Sequence, residues 1–227
     1  MNILAIETSA GACSIAVACG ETIRSYVHSP EKQQHTESIL TLIERGLAQA
    51  GIGPGDLDVF AVATGPGLFT GLRVGISTAQ GLAFALGRQL IGVSSLEIIA
   101  RQAGAAALIC PMMDARRGQV YTCLYRTTRA GTLVRVEPDT VIDPAVWAGR
   151  LSGTVLFTGS GAIRYHELIT GACPGTVMVA PAVEGIPRAS TLALIAAEGR
   201  RTGRIAPPEH VTPRYVRPPD AKEPALQ

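Results

Sequence analysis

Charge is scarce in this sequence. Only 17% of its 227 residues are Asp, Glu, Lys or Arg, against roughly 25% in soluble domains. The 20 basic and 18 acidic residues leave a formal net charge of +2. That balance excludes a strongly basic nucleic-acid binder acting alone. With 47% apolar residues, an intrinsically disordered chain is excluded as well. Long hydrophobic runs are missing too. The longest uncharged helical candidate, residues 74–87, is shorter than the roughly 20 residues that span a bilayer, so no membrane role is expected. The N-terminus has no basic stretch leading into a long apolar region, so no secretion signal is expected. Cysteine is sparse and odd in number, five residues without a CxxC pair, which argues against a disulfide framework or a zinc knuckle. Free buried thiols in a reducing cytosol are the expectation. The four histidines show neither HExxH nor HxxxH spacing, and no known catalytic motif fits the chain. A charge-poor surface on a chain of this length implies that part of it faces a partner.

What is present is an alternation of short apolar runs and helical stripes. Residues 3–6, 13–19 and 22–28 read as three strands in a meander, the middle one with a period of two. Residues 36–50 read as a helix, with Ile39, Leu42, Ile43, Leu47 and Ala50 on one stripe and His35 or Thr36 at its start. Then come a strand at 59–63, a Gly-rich loop at 65–71, a helix at 72–86, a strand at 90–93 and a helix at 96–103. A meander feeding parallel strands through crossover helices predicts a mixed sheet covered by helices. Residues 108–113 and 118–125 look like a second copy of the opening strands. A strand at 154–157, a loop at 158–161 and a helix near 192–200 follow, and 218–227 reads as a disordered tail. Residues 1–105 thus read as one lobe and 106–217 as a second. The first carries 6 basic and 8 acidic groups, the second part of the chain 14 and 10.

Two segments carry chemistry. The loop from Gly65 to Gly71 places three glycines and a proline at a strand-to-helix junction. Such a junction can cradle phosphate on backbone N–H groups, or it can let helix and sheet pack closely. It matches neither GxxxxGK[ST] nor GxGxxG. Glu7, with Thr8 and Ser9 after it, ends the first strand, and Asp114 holds the same place in the second copy. Such a pair of carboxylates would suit magnesium–nucleotide chemistry, or each could simply bond its own turn. Arg116 and Arg117 read as an exposed turn or a phosphate contact. The helix after the loop carries Gly71, Gly75, Ala79 and Ala83 every four residues. Small residues let another backbone approach, either the chain's own sheet or a partner helix. Together with the Ile39, Leu42 and Ile43 stripe this marks a candidate partner surface.

Several segments resemble the bacterial TsaB family: residues 2–9, 65–75, 80–83, 91–96 and 113–121, and, late in the chain, 212–218. The resemblance is dense over 1–125 and thin afterwards. It implies an α/β fold of two ASKHA lobes, actin-like and ribonuclease H-like, with mixed sheets flanked by helices and a reduced second lobe. It implies a noncatalytic paralogue of TsaD, the enzyme that transfers threonylcarbamoyl to the adenosine beside the anticodon of tRNA. The family pairs with TsaD, helps recruit the ATPase TsaE, and uses its first two helices in a four-helix contact. Here these are 36–50 and 72–86, so His35, Ile39, Leu42, Ile43, Gly71, Gly75, Ala79, Leu82 and Ala83 become the expected interface. A homodimer through the same helices is expected when TsaD is absent, with a cytoplasmic location and only indirect contact with tRNA.

The departures matter equally. TsaD-like proteins carry a metal-binding His-x-x-x-His where this chain has Ser95 and Ile99, and neither can replace an imidazole ligand. Only Gly159-Ser160-Gly161 remains of an adenosine loop. The expectation is therefore no catalytic residue, no metal, and ATP used by the complex rather than held here. Glu7, Thr8, Ser9, Gly65 and Gly67 are the weak remaining cofactor candidates. The competing readings are an independent ASKHA-type ATPase or kinase using those residues with Asp114, and, further off, a metallopeptidase.

Overall fold

The computed structural model describes residues 1–29 and 39–217. Strands β1 (Asn2–Glu7), β2 (Cys13–Cys19) and β3 (Thr22–Ser29) form the antiparallel meander, and β4 (Val59–Gly65) and β5 (Gln89–Ser94) add in parallel, giving the order β3-β2-β1-β4-β5. The second sheet repeats this plan. In it β6 (Leu108–Asp114), β7 (Val120–Thr127) and β8 (Leu133–Ile142) form the meander, and β9 (Thr154–Thr158) and β10 (Thr176–Val179) follow in parallel, with the order β10-β9-β6-β7-β8. The two ASKHA lobes implied by the resemblance are thus present, and Asp114 is the topological counterpart of Glu7. The second lobe keeps a full five-stranded sheet. What is reduced is its helical cover: α4 (Pro144–Ala148), α5 (Ser160–Arg164) and α6 (His166–Ala172) are each two turns or less.

Helices α1 (Ile39–Ala50) and α2 (Phe69–Ala85) cover one face of the first sheet. Leu42, Ile43 and Leu47 of α1 and Ile76, Ala79 and Ala83 of α2 pack on Leu4, Ile6, Ile15, Val17, Phe60 and Val62. The opposite face, lined by Ile3, Ala5, Ala16, Ala18 and Ala61, is covered by α7 (Ala189–Arg201) through Leu192, Ala193, Ile195 and Ala196. So α7, which the sequence reading placed in the 106–217 lobe, packs on the first sheet. The small residues of β1, β2 and β4 on this face leave room for that helix to approach closely. The chain then returns along the first sheet's edge, where Leu90 and Ala206 exchange both backbone hydrogen bonds at 3.1 Å. α3 (Ser95–Gln102) lies between the sheets, with Ile98 against the first and Leu96, Ile99 and Ala100 against Ile109, Met113 and Tyr125 of the second.

Several expectations change. α2 begins at Phe69, three residues before the expected start, so Gly71 is helical and not part of the loop. Not every thiol is buried: Cys110 and Cys123 are, Cys13 and Cys173 are partly covered, and Cys19 is exposed. The beginning of the expected 36–50 helix, with His35 before it, and the expected disordered tail 218–227 lie outside the described residues.

Candidate partner interface

The Gly-rich loop and the β1–β2 turn form a closed hydrogen-bonded unit. Glu7 is 1% exposed, and its Oε1 accepts from the Ser9 backbone N–H at 2.7 Å and from the Ser9 hydroxyl. Burial holds this carboxyl up at about 7, with the two Ser9 hydrogen bonds pulling the other way. Ser9 O accepts from Leu68 N–H at 2.8 Å, and Thr8 Oγ1 donates to Gly71 O at 2.8 Å. A Cβ on Gly67 would collide with the Ser9 carbonyl oxygen, and one on Gly75 with Thr8 Oγ1. The glycines therefore bring the start of α2 onto the β1–β2 turn. Glu7, Thr8, Ser9, Gly65 and Gly67 do come together, but Glu7, Thr8, Ser9 and Gly65 are buried and the polar groups of this unit bond one another. Burial, with the Glu7 carboxylate adding to it, pushes the nearby Cys13 thiol up to about 12, so it stays protonated and unreactive at neutral pH.

The second-lobe counterpart is built alike at its start and differs in its surroundings. Asp114 Oδ1 accepts from the Arg116 N–H at 2.9 Å, as Glu7 does from Ser9, and from the Tyr165 hydroxyl at 3.2 Å. Arg164 and Arg116 approach its Oδ2 at 3.3 and 3.9 Å. Arg116 and Arg117 form the turn before β7, both at positive φ (62° and 55°).

The small-residue row of α2 faces inward. Gly75, Ala79 and Ala83, like Leu42 and Ile43 of α1, are buried in the chain's own core. Gly71, Ile39 and Leu82 are half-buried along its margin. Of the expected interface positions, Leu42, Ile43, Gly75, Ala79 and Ala83 are thus packed within the chain itself, and Gly71 and Gly75 are small because the β1–β2 turn approaches them. The solvent-facing row of α2 runs instead through Val74, Ser77, Gly81 and Phe84, and α1 beside it exposes Leu40. Phe84 is 81% exposed, a large apolar side chain with none of the described residues packed over it. Its signal in the sequence was an aromatic offset from the small-residue row.

The same fold recurs in known proteins. A protein from Escherichia coli strain K12 named "tRNA threonylcarbamoyladenosine biosynthesis protein TsaB" is 33% identical over 96% of this chain and 95% of its own length. The protein of that name from Bacillus subtilis strain 168 is 34% identical over 87% of this chain and 88% of its own. The chain belongs to the TsaB family. The family model for TsaD, the tRNA N6-adenosine threonylcarbamoyltransferase, matches residues 22–220, as expected if the two families are paralogous. A crystal structure from Pseudomonas aeruginosa, described as an uncharacterized protein with similarity to peptidase YeaZ, superposes with a TM-score of 0.81 at 27% identity, covering 95% of this chain and 99% of that one. As a TsaB-family member the chain takes part in tRNA threonylcarbamoyladenosine biosynthesis. Where TsaD-like proteins are expected to hold metal, this TsaB-family chain places Ser95 and Ile99 fully buried in α3. Among the described residues, no three His, Cys, Asp or Glu side chains converge as a metal site would require, and no helix is long and apolar enough to cross a membrane.

Proposed function

We propose that this chain is a noncatalytic scaffold subunit that pairs with a TsaD-type transferase and helps recruit TsaE for threonylcarbamoylation of the adenosine next to the anticodon. The observation that carries the reading is the exposed apolar face of α1 and α2, from Leu40 through Val74, Ser77 and Gly81 to Phe84. Covering Phe84 alone would contribute roughly 2 kcal/mol, and Gly81 lets a partner helix approach closely. The face occupies the two helices that the family resemblance assigns to the TsaD contact. A homodimer through this face is the expected state of the isolated cytoplasmic chain. The competing ATPase or kinase reading loses its main support, because Glu7 and Ser9 are buried against each other and Leu68 N–H is spent on Ser9 O.

The decisive measurement is co-purification with TsaD and TsaE, followed by a tRNA modification assay with and without this chain. Phe84→Asp and Val74→Asp should leave the chain folded and abolish retention by TsaD. A complex that survives both changes would sink the interface. Magnesium–ATP turnover by the isolated chain would restore the enzyme reading.

A further inference from the structure

Six arginines lie along the edge where the two sheets meet, in clusters that the last described segment strings together through Arg214, Tyr215 and Arg217. At one end Arg164 and Arg116 flank Asp114, and Arg117 follows in the same turn. Arg217 holds that turn from the other side. Its Nη1 donates to Ala115 O at 2.7 Å, its Nη2 donates to Gln119 Oε1 at 2.5 Å, and its guanidinium lies 5.9 Å from the centre of the Tyr121 ring. Two residues earlier, Tyr215 stacks on Phe69 with centroids 5.3 Å apart and accepts from Arg73 Nε at 3.1 Å. The Arg73 guanidinium in turn lies 3.8 Å from the Phe69 ring centre. Arg214, next to Tyr215 in the chain, reaches Asp139 at 3.5 Å.

The two carboxylates within the row lie beneath it. The side chains of Asp114 and Asp139 are 14% and 4% exposed, while that of Arg116 is 74% exposed. Solvent therefore meets guanidinium groups and the half-open rings of Phe69 and Tyr215, on a chain that is nearly neutral as a whole. Planar cations interleaved with exposed rings suit a ligand that carries both phosphates and unpaired bases. An acidic protein surface would satisfy the cations and leave the exposed parts of the two rings uncovered.

We propose that this row is a contact surface for a single-stranded RNA loop, with backbone phosphates on the arginines and an unpaired base on the Phe69–Tyr215 pair. The inference rests on the chain's place in tRNA modification and adds that this chain itself touches the RNA. It adjoins the helix face proposed above for TsaD, since Phe69 and Arg73 begin the same α2.

The test is fluorescence anisotropy of the full chain with a labelled RNA hairpin carrying a single-stranded loop, a blunt RNA duplex of the same length, and polyglutamate as competitor. The hairpin should bind more tightly than the duplex, and its affinity should fall roughly 10- to 100-fold between about 50 and 200 mM salt. Arg73→Ala and Arg116→Ala should each lower the salt slope by about 0.7. Tyr215→Ala should weaken binding roughly tenfold while Tyr215→Phe retains it. Thermal melts of each variant separate lost contact from lost fold, and Arg116→Ala, at an exposed turn, should melt like the parent. Absent hairpin binding at low salt, equal affinity for the duplex, displacement by polyglutamate at equal charge, or unchanged affinity of all the variants would each overturn the proposal. TsaD pull-down by the same samples keeps a failure here distinct from a failure of the scaffold reading.

Discussion

A buried carboxyl held near neutrality makes Glu7 a thermodynamic cost at physiological pH. Its folded pKa of about 7 lies above the ordinary 4.5, so the folded state binds this proton more tightly than the unfolded chain. Stability from this group is therefore greatest below about pH 4.5 and falls as pH rises through 4.5 to 7, by roughly 3 kcal/mol at full extent. Glu7→Gln imitates the neutral acid and still accepts from Ser9. Its melting temperature should exceed the parent's at pH 8, and the gap should close toward pH 5. A gap that stays constant with pH would place the effect elsewhere. The α2 glycines make a second residue-scale contrast. Gly67→Ala drives a Cβ into the Ser9 carbonyl and should cost about 1–3 kcal/mol in chemical denaturation. Gly81→Ala meets nothing within 4 Å and should stabilise the isolated chain by about 0.5–1 kcal/mol, while weakening TsaD retention by holding the helices apart.

At the scale of elements, α2 shows what a sequence reveals and what it hides. Its small-residue ladder was legible, and so was the demand for close approach. Which neighbour approaches was not, because the β1–β2 turn that fills the space is more than sixty residues distant in sequence. Val74, Ser77, Gly81 and Phe84 lie on roughly the opposite side of the helix from the buried row. In the first lobe β1 and β4 were readable as continuous apolar runs buried on both faces, and β2 by its period of two. The second lobe was harder. β8 alternates half-buried with exposed positions at its start and contains Pro138, as an edge strand tolerates. β10 has four residues, and α5 and α6 are too short to establish a helical period. α4 did leave a mark, since Asp143 accepts from Ala145 and Val146 N–H at 2.8 and 3.0 Å with Pro144 at the first helical position, a start signal visible in sequence. Of the arginine row only Arg116 and Arg117 were legible, as an exposed turn or a phosphate contact, for its members come from α2, the β6–β7 turn, α5 and the last described segment.

For the whole molecule, one carboxylate joins the two sheets. Asp139 of β8 receives Arg135 at 3.1 Å, Arg214 at 3.5 Å and the Ser94 hydroxyl of β5 at 3.4 Å. Asp139→Ala leaves these donors facing an apolar gap and should lower unfolding stability by roughly 2 kcal/mol. By comparison, Arg201→Ala breaks a pair with Glu21 in which both side chains are 65% exposed, and its unfolding curve should overlay the parent's. If the two variants behave alike, the junction between the lobes is not secured at Asp139.

The position of α7 sets the order in which this protein is made. A ribosome delivers residues 1–105 first, yet one face of their sheet waits for residues 189–201 to close over Ala5, Ala16 and Ala61. The nascent chain must carry that open apolar face through the synthesis of the entire second lobe. Completion of the first lobe is thus a late event that follows synthesis of the second, and a chain released early would expose the surface that attracts chaperones and proteases.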